Sequence, residues 1–196
     1  MRRFLLLALG LAWAGVQHQA HAQDRPATIP TRDVDVTYRM ADPTSNRTLE
    51  QRMRWQGTSQ RLRVDSPSPG LWMLVDYRTR RLAMVVDPER RVLDTEAPAG
   101  AVMPGQLTAA SFARRGQDTV AGQPCTEWET RDTTSVARVV CLTTDGVLLR
   151  LRRIGADGPP VMMEAVRVLY GPQDPAAFVA PAGYAHAAAP ASPGSR

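Results

Sequence analysis

The chain contains no lysine. All 24 of its basic residues are arginine, and alanine and proline are abundant. That is the bias a GC-rich genome writes by default, so the formal net charge of +5 does not by itself point to nucleic acid. The arginines alternate singly along extended stretches instead of clustering, and no nucleic-acid motif accompanies them. They read as a solvated outer face. Histidine is scarce as well: of three, His18 and His21 fall in the N-terminal leader, which leaves His186 near the other end. A Ser-His-Asp or Cys-His apparatus therefore has no histidine on a rigid scaffold, and a zinc site has too few ligands. The glycines at 70 and 122 belong to turns, not to a phosphate-cradling loop. Glu127 and Glu129 lie on an expected strand and read as a solvent face, not as a glycosidase pair. No catalytic residue, metal or cofactor is expected.

What is present begins with an export signal. Arg2 and Arg3 precede an apolar run over residues 4–16, and Ala20-His21-Ala22 supplies the small-x-small pattern a signal peptidase accepts. The run is shorter than the roughly 20 residues a membrane-spanning helix needs. Cleavage after Ala22 is expected, giving a periplasmic protein. No later stretch approaches membrane-spanning length, so an integral membrane protein is not expected. Removal of residues 1–22 leaves 174 of 196, enough for one domain with a core, and 22 arginines against 19 acidic residues.

The organisation expected along the rest is a flexible leader at 23–32, one domain at 33–184 and a disordered tail at 185–196, rich in Ala, Pro, Ser and Gly. Period-2 alternation begins at residue 33. It puts Val34, Val36, Tyr38 and Met40 on one face, then Leu49, Met53 and Trp55, with Gln51 the odd polar member, then Leu62 and Val64. Strands are expected at 33–40, 48–56, 60–66, 71–77, 82–87 and 91–96. They resume at 117–121, 125–131, 135–143, 147–153 and 161–170. A helix is expected over 106–115 and a single helical turn over 174–178. Short strands joined by tight turns make a mostly antiparallel sheet or barrel.

Cys125 and Cys141, with no Cys-x-x-Cys spacing, suit a structural disulfide in an oxidising compartment. A hairpin centred on Thr133 would set them directly opposite each other, and Trp128 opposite Arg138. The apolar residues Tyr38, Met40, Met53, Trp55, Leu62, Val64, Trp72, Leu74 and Met84 form a long face that the chain has few helices to cover. Either they fill a core or they line a cavity, and methionine suits an adaptable lining. Periodicity does not separate the two.

Two segments carry a resemblance. Gly116-Gln117-Asp118-Thr119-Val120-Ala121-Gly122-Gln123-Pro124-Cys125 resembles the "G-x-x-T-hydrophobic-x-G-x-x-C" stretch of a bacterial envelope family, and the run from Asp174 through Phe178 and Pro181 to Gly183-Tyr184 resembles its closing "D-x-x-x-F-x-x-P-x-G-Y". That family is similar to the periplasmic lipoprotein-carrier superfamily of the LolA and LppX type. The resemblance implies a mainly β fold, a strongly curved antiparallel sheet forming an incomplete, half-open barrel, with one or two short helices on its concave side. It implies a monomeric, non-catalytic periplasmic protein binding an apolar ligand such as a lipid or lipidated polypeptide. The alternatives are a structural or interaction module of the envelope with a self-filled core and an envelope protein partner, and a carboxylate-dependent envelope hydrolase.

Overall fold

A computed structural model describes residues 25–42, 45, 47–97, 107, 111–131, 137–154 and 161–189; the expected signal peptide lies outside them. Among the described residues the chain is mainly β. Its strands are β1 (Val34–Ala41), β2 (Thr48–Gln56), β3 (Arg61–Asp65), β4 (Leu71–Asp76), β5 (Arg81–Val86), β6 (Arg91–Glu96), β7 (Ser111–Val120), β8 (Gln123–Arg131), β9 (Ala137–Leu142), β10 (Leu148–Arg153), β11 (Val161–Tyr170) and β12 (Ala185–Ala188). They form one sheet in the order β12-β6-β5-β4-β3-β2-β1-β11-β10-β9-β8-β7. Every ladder is antiparallel except that of β12 with β6.

Within β1–β6 and within β7–β11 successive strands pair, and several of the described connections are short turns with residues in the left-handed region that tight hairpins require. Ala121 (φ 49°) and Gly122 (φ 74°) make the β7–β8 turn, so the second glycine of the first resemblance motif is a turn glycine. Two pairings join strands that are distant in sequence: β11 crosses back to β1, with Val34 opposite Tyr170, and β12 returns to β6.

Three expectations about shape are corrected. The sheet is open, with β12 and β7 as its edges, and is neither closed nor strongly curled into a half-barrel. It bends only enough for Val34, Tyr38 and Leu62 to share one buried cluster with Val120, Cys125 and Leu149 from the other half. No helix covers it: two one-turn 3-10 segments, Asp87–Glu89 and Pro175–Phe178, are the helical pieces among the described residues. The second matches the expected turn at 174–178, and Asp174 caps it by accepting from the Ala176 N–H at 2.9 Å. The helix expected over 106–115 is instead the start of β7, where Phe112 lies opposite Thr130 and packs edge-on against Trp128, 6.3 Å between centroids. Residues 106 and 108–110 fall outside the described part. Pairing with a neighbouring strand overrides a weak local helix signal.

The two faces of the sheet are covered by extended chain. On the face opposite Val34 and Trp55, the segment from Gly171 to Tyr184 runs across β1 to β6. Gln173 N–H donates to Asp33, Ala177 carbonyl accepts from Arg63 Nη1 at 3.0 Å, and Phe178 is buried. Tyr184 O–H and Trp72 Nε1 both donate to Asp87, at 3.2 Å. This strap changes the expected solvated arginine face. Arg63 stacks on the Trp72 ring at 3.7 Å and, with Arg54, ion-pairs with Asp65, leaving the arginine side chains 19% and 15% exposed. The disordered tail expected at 185–196 is corrected over its first residues, while 190–196 lie outside the described part. Ala185–Ala188 add to the β6 edge, with His186 Nδ1 2.6 Å from Asp94, because backbone pairing needs no apolar side chain.

Candidate functional site

The strict alternation of β1 and β2 sends Val34, Val36 and Tyr38, with Gln51, Met53 and Trp55, to one face of the sheet. Leu62 joins them from β3, opposite Trp55. These side chains floor a cleft of about 230 Å³. Its walls are Tyr77, Met163 and the Gly146-Val147-Leu148 stretch between β9 and β10, and its roof is Thr28-Ile29-Pro30. The roof corrects the expected flexible leader, since residues 25–32 are ordered against the sheet and Ile29 packs on the main core cluster.

No lining residue carries a formal charge. Tyr38, fully enclosed, donates its hydroxyl to the Leu148 carbonyl at 2.7 Å, and burial, helped by Tyr170, pushes its phenol well up. Burial alone raises the Tyr77 phenol to about 12, so both stay neutral at ordinary pH. Tyr77 meets Trp55 edge-on, 5.2 Å between centroids. The indole N–H of Trp55 is buried and has no hydrogen-bond partner, which is a cost in a native core unless something accepts from it. An apolar pocket with neutral phenols, an amide and one unpaired donor suits binding, not acid–base chemistry. Among the described residues no three His, Cys, Asp or Glu side chains are grouped to hold a metal ion.

The structure gathers Tyr38, Met53, Trp55 and Leu62 in the cleft, with Met40 and Val64 packed on the same cluster beside it. Met84 is on this face too but lies two strands beyond Leu62 and is 42% exposed. Trp72 and Leu74 are not brought in. Asp65 pairs with Trp72 and Arg63 with Leu74, which puts both on the strap face in a separate cluster with Val85 and Val92. The reason is that β4, Leu-Trp-Met-Leu-Val-Asp, is apolar on both faces. Its parity is set by the preceding turn, not by its own pattern. The site residues missed by alternation are the roof, the wall at 146–148, Tyr77 and Met163. Gln51, the polar residue that interrupts the apolar face of β2, lines the cleft as well.

Cys125 and Cys141 are bonded, with Cα atoms 5.5 Å apart. The register around them is two residues off the expected one. The β8–β9 ladder sets Arg131 opposite Ala137, so Cys141 faces Glu127 and Trp128 faces Val140, not Arg138. The cysteines are therefore diagonal neighbours. Arg114 lies over the Trp128 ring, 5.9 Å from its centroid. Glu127 is held by Arg150 and Arg152, and Glu129 by Arg115 and Arg131, so each carboxylate is occupied in ion pairs.

Asp145 ties the roof down. Its carboxylate accepts from Arg32 Nε at 2.6 Å, Thr143 Oγ1 at 2.5 Å and Tyr170 O–H at 3.2 Å. Burial pushes this carboxyl up, but the bonds from Thr143 and Arg32, with the charge of Arg32, outweigh it and hold it below the usual carboxylate range. A depressed folded-state value means stabilisation that is complete above the unfolded value of about 3.9 and is lost as pH falls through the lower, folded one. Hydrogen exchange at the Thr31 N–H, which donates to the Asp145 carbonyl, should therefore stay slow at pH 5. It should rise, relative to other protected amides, below about pH 4; unchanged relative protection at pH 3 would contradict this.

No protein-family model matches the chain, and no curated protein does. Solved structures do. An uncharacterized conserved protein from Thermus thermophilus superposes with a TM-score of 0.58 at 11% identity, over 81% of this chain and 91% of that one. What they share is the fold. MucB aligns with a TM-score of 0.45 at 15% identity, over 78% of this chain and 58% of MucB. The MucA/MucB complex of Pseudomonas aeruginosa gives 0.43 at 15%, over 76% and 56%. The chain spans little more than half the length of the MucB chains.

Proposed function

We propose that this chain is an exported, periplasmic, non-catalytic binding protein that holds an apolar ligand, a lipid or the acyl part of a lipidated polypeptide. Its site is the cleft above β1–β3. The observation that carries this reading is the uncharged cleft whose lining residue Trp55 has a buried, unpaired N–H. Support comes also from the N-terminal export pattern and from the disulfide, a bond that persists in oxidising compartments. At about 230 Å³, the cleft is smaller than the roughly 300–1,000 Å³ of drug-sized pockets. It takes one apolar chain in part, not a whole lipid.

Native mass spectrometry of protein from its own periplasm, with titration of the neutral apolar dye N-phenyl-1-naphthylamine, tests the reading. Trp55→Phe is expected to weaken binding of an acceptor-bearing ligand, such as a dansylated fatty acid, about 5–10-fold, the worth of one net hydrogen bond. Trp72→Phe, on the other face, is expected to change affinity less than about twofold on the same scale while lowering stability. A bare mass together with no dye binding would favour the other class of function, an envelope interaction module with a self-filled core.

A further inference from the structure

The roof of the cleft is only partly buried. None of residues 25–32 is fully buried, whereas Val34, Val36, Tyr38, Trp55 and Leu62 beneath are. Its attachments converge on one turn. Arg32 ion-pairs with Asp145 and stacks on the Tyr170 ring at 3.6 Å, and the Thr31 N–H donates to the Asp145 carbonyl. The next residue explains how the roof lies so close. Gly146 has φ +89°, and a Cβ there would stand 2.4 Å from the Ile29 carbonyl oxygen. Only glycine lets the roof chain pass over this turn. The floor does not stop at the roof. Beyond Tyr38 it continues along the sheet as Leu49, Met40 and Met163, which face one another across β2, β1 and β11. Leu49 there is 36% exposed.

We propose that residues 27–30 are a displaceable roof, latched at Asp145–Gly146, that occupies part of a longer apolar groove and competes with the ligand for it. This rests on the binding reading above. Ile29 is then the internal occupant, and the full site runs from Trp55 to the Leu49–Met40–Met163 row. Access is set by the latch, so Asp145 and Arg32, which do not line the cleft, control the ligand's apparent affinity. A binding-competent form that is a minor population lowers apparent affinity by its fraction.

Asp145→Asn and Arg32→Gln loosen the latch from its two sides and leave the floor intact. N-phenyl-1-naphthylamine affinity and hydrogen exchange at the Thr31 and Ile29 amides are measured on each full chain, with circular dichroism to confirm the fold. Expected are faster exchange confined to the roof and binding about 3–10-fold tighter than wild type, the scale of one partly exposed charge-assisted bond. A purely structural role for Asp145 would weaken binding, not strengthen it. If wild type and both variants bind the dye equally while the roof exchanges faster, the competing-roof proposal falls and the binding reading stands. If none binds, both fall.

Discussion

Phe178→Ala is expected to lower the unfolding free energy by about 3–5 kcal/mol, the usual cost of emptying a buried phenylalanine site. It should also release the C-terminal strand. Phe178 is 3% exposed and is the only fully buried residue between Gly171 and Ala189. With Leu74, Ala83, Ala180 and Arg61 it lines a hollow between strap and sheet. The remaining strap contacts are single hydrogen bonds, the packing of partly buried Ala180 and Tyr184 on the Trp72 cluster, and the Arg90–Tyr184 ring contact at 5.7 Å. The β12 strand beyond is held by backbone bonds and an exposed His186–Asp94 pair, worth little in water. Losing the anchor should therefore shift the urea midpoint and speed exchange of the Ala185 and Ala189 amides, which donate to the Arg90 and Asp94 carbonyls. A midpoint loss below about 1 kcal/mol, against the cavity cost above, with β12 still protected, would show that the strap is anchored elsewhere.

The residues of the closing motif therefore act in the fold: Asp174 caps, Phe178 anchors, Gly183 turns at φ +77° and Tyr184 reaches Asp87. The opening motif is similar, with Gly122 in a turn, Val120 in the core and Cys125 in the disulfide. A resemblance carried by such residues transfers architecture more securely than ligand.

Where a strand alternates strictly its facing was readable. Val34, Val36, Tyr38, Met53 and Trp55 stand where their parity puts them, and β2, β6 and β11 fall on the expected residues. Legibility failed where a pattern carried no phase. In β4 both parities are apolar, so Trp72 and Leu74 were put on the cleft face although the ladder with β3 turns them away. A symmetric spacing about residue 133 suggested one hairpin register, but a disulfide also joins diagonal neighbours and the ladder centres on 134. The two coverings of the sheet were unreadable for a different reason. Ile29 is a single apolar residue in a polar, proline-containing run and Phe178 sits in a short Ala- and Pro-rich one, and neither run carries a helical or strand period. The missing lid helices were replaced by extended chain. Its backbone groups are satisfied by Asp33, Arg63 and the 145–146 turn, none of which is near it in sequence.

The second large effect concerns the disulfide. The double variant Cys125→Ala/Cys141→Ala is expected to lose about 3 kcal/mol, the loop-closure value for a bridge of this span, 16 residues apart. In a domain of this size that corresponds to a melting temperature lower by about 6–12 °C. Alanine is the informative choice. Both cysteines lie in the main core cluster with Val34, Val120 and Leu149, at 5% and 1% exposure. A serine pair would therefore add buried hydroxyls lacking partners, at about 1–3 kcal/mol each. The bridge staples β8 to β9, and β9 leads through Thr143 directly into the turn that carries Asp145 and Gly146 and the cleft wall at Val147. Loosening it should therefore be felt at the cleft before the chain unfolds, as faster exchange of the Val147 N–H, which donates to Thr143 Oγ1. Reduction of the wild-type protein should reproduce the alanine variant. A chain that melts at the same temperature with and without reductant would not need an oxidising compartment to be stable, and the disulfide would then say nothing about where the protein works.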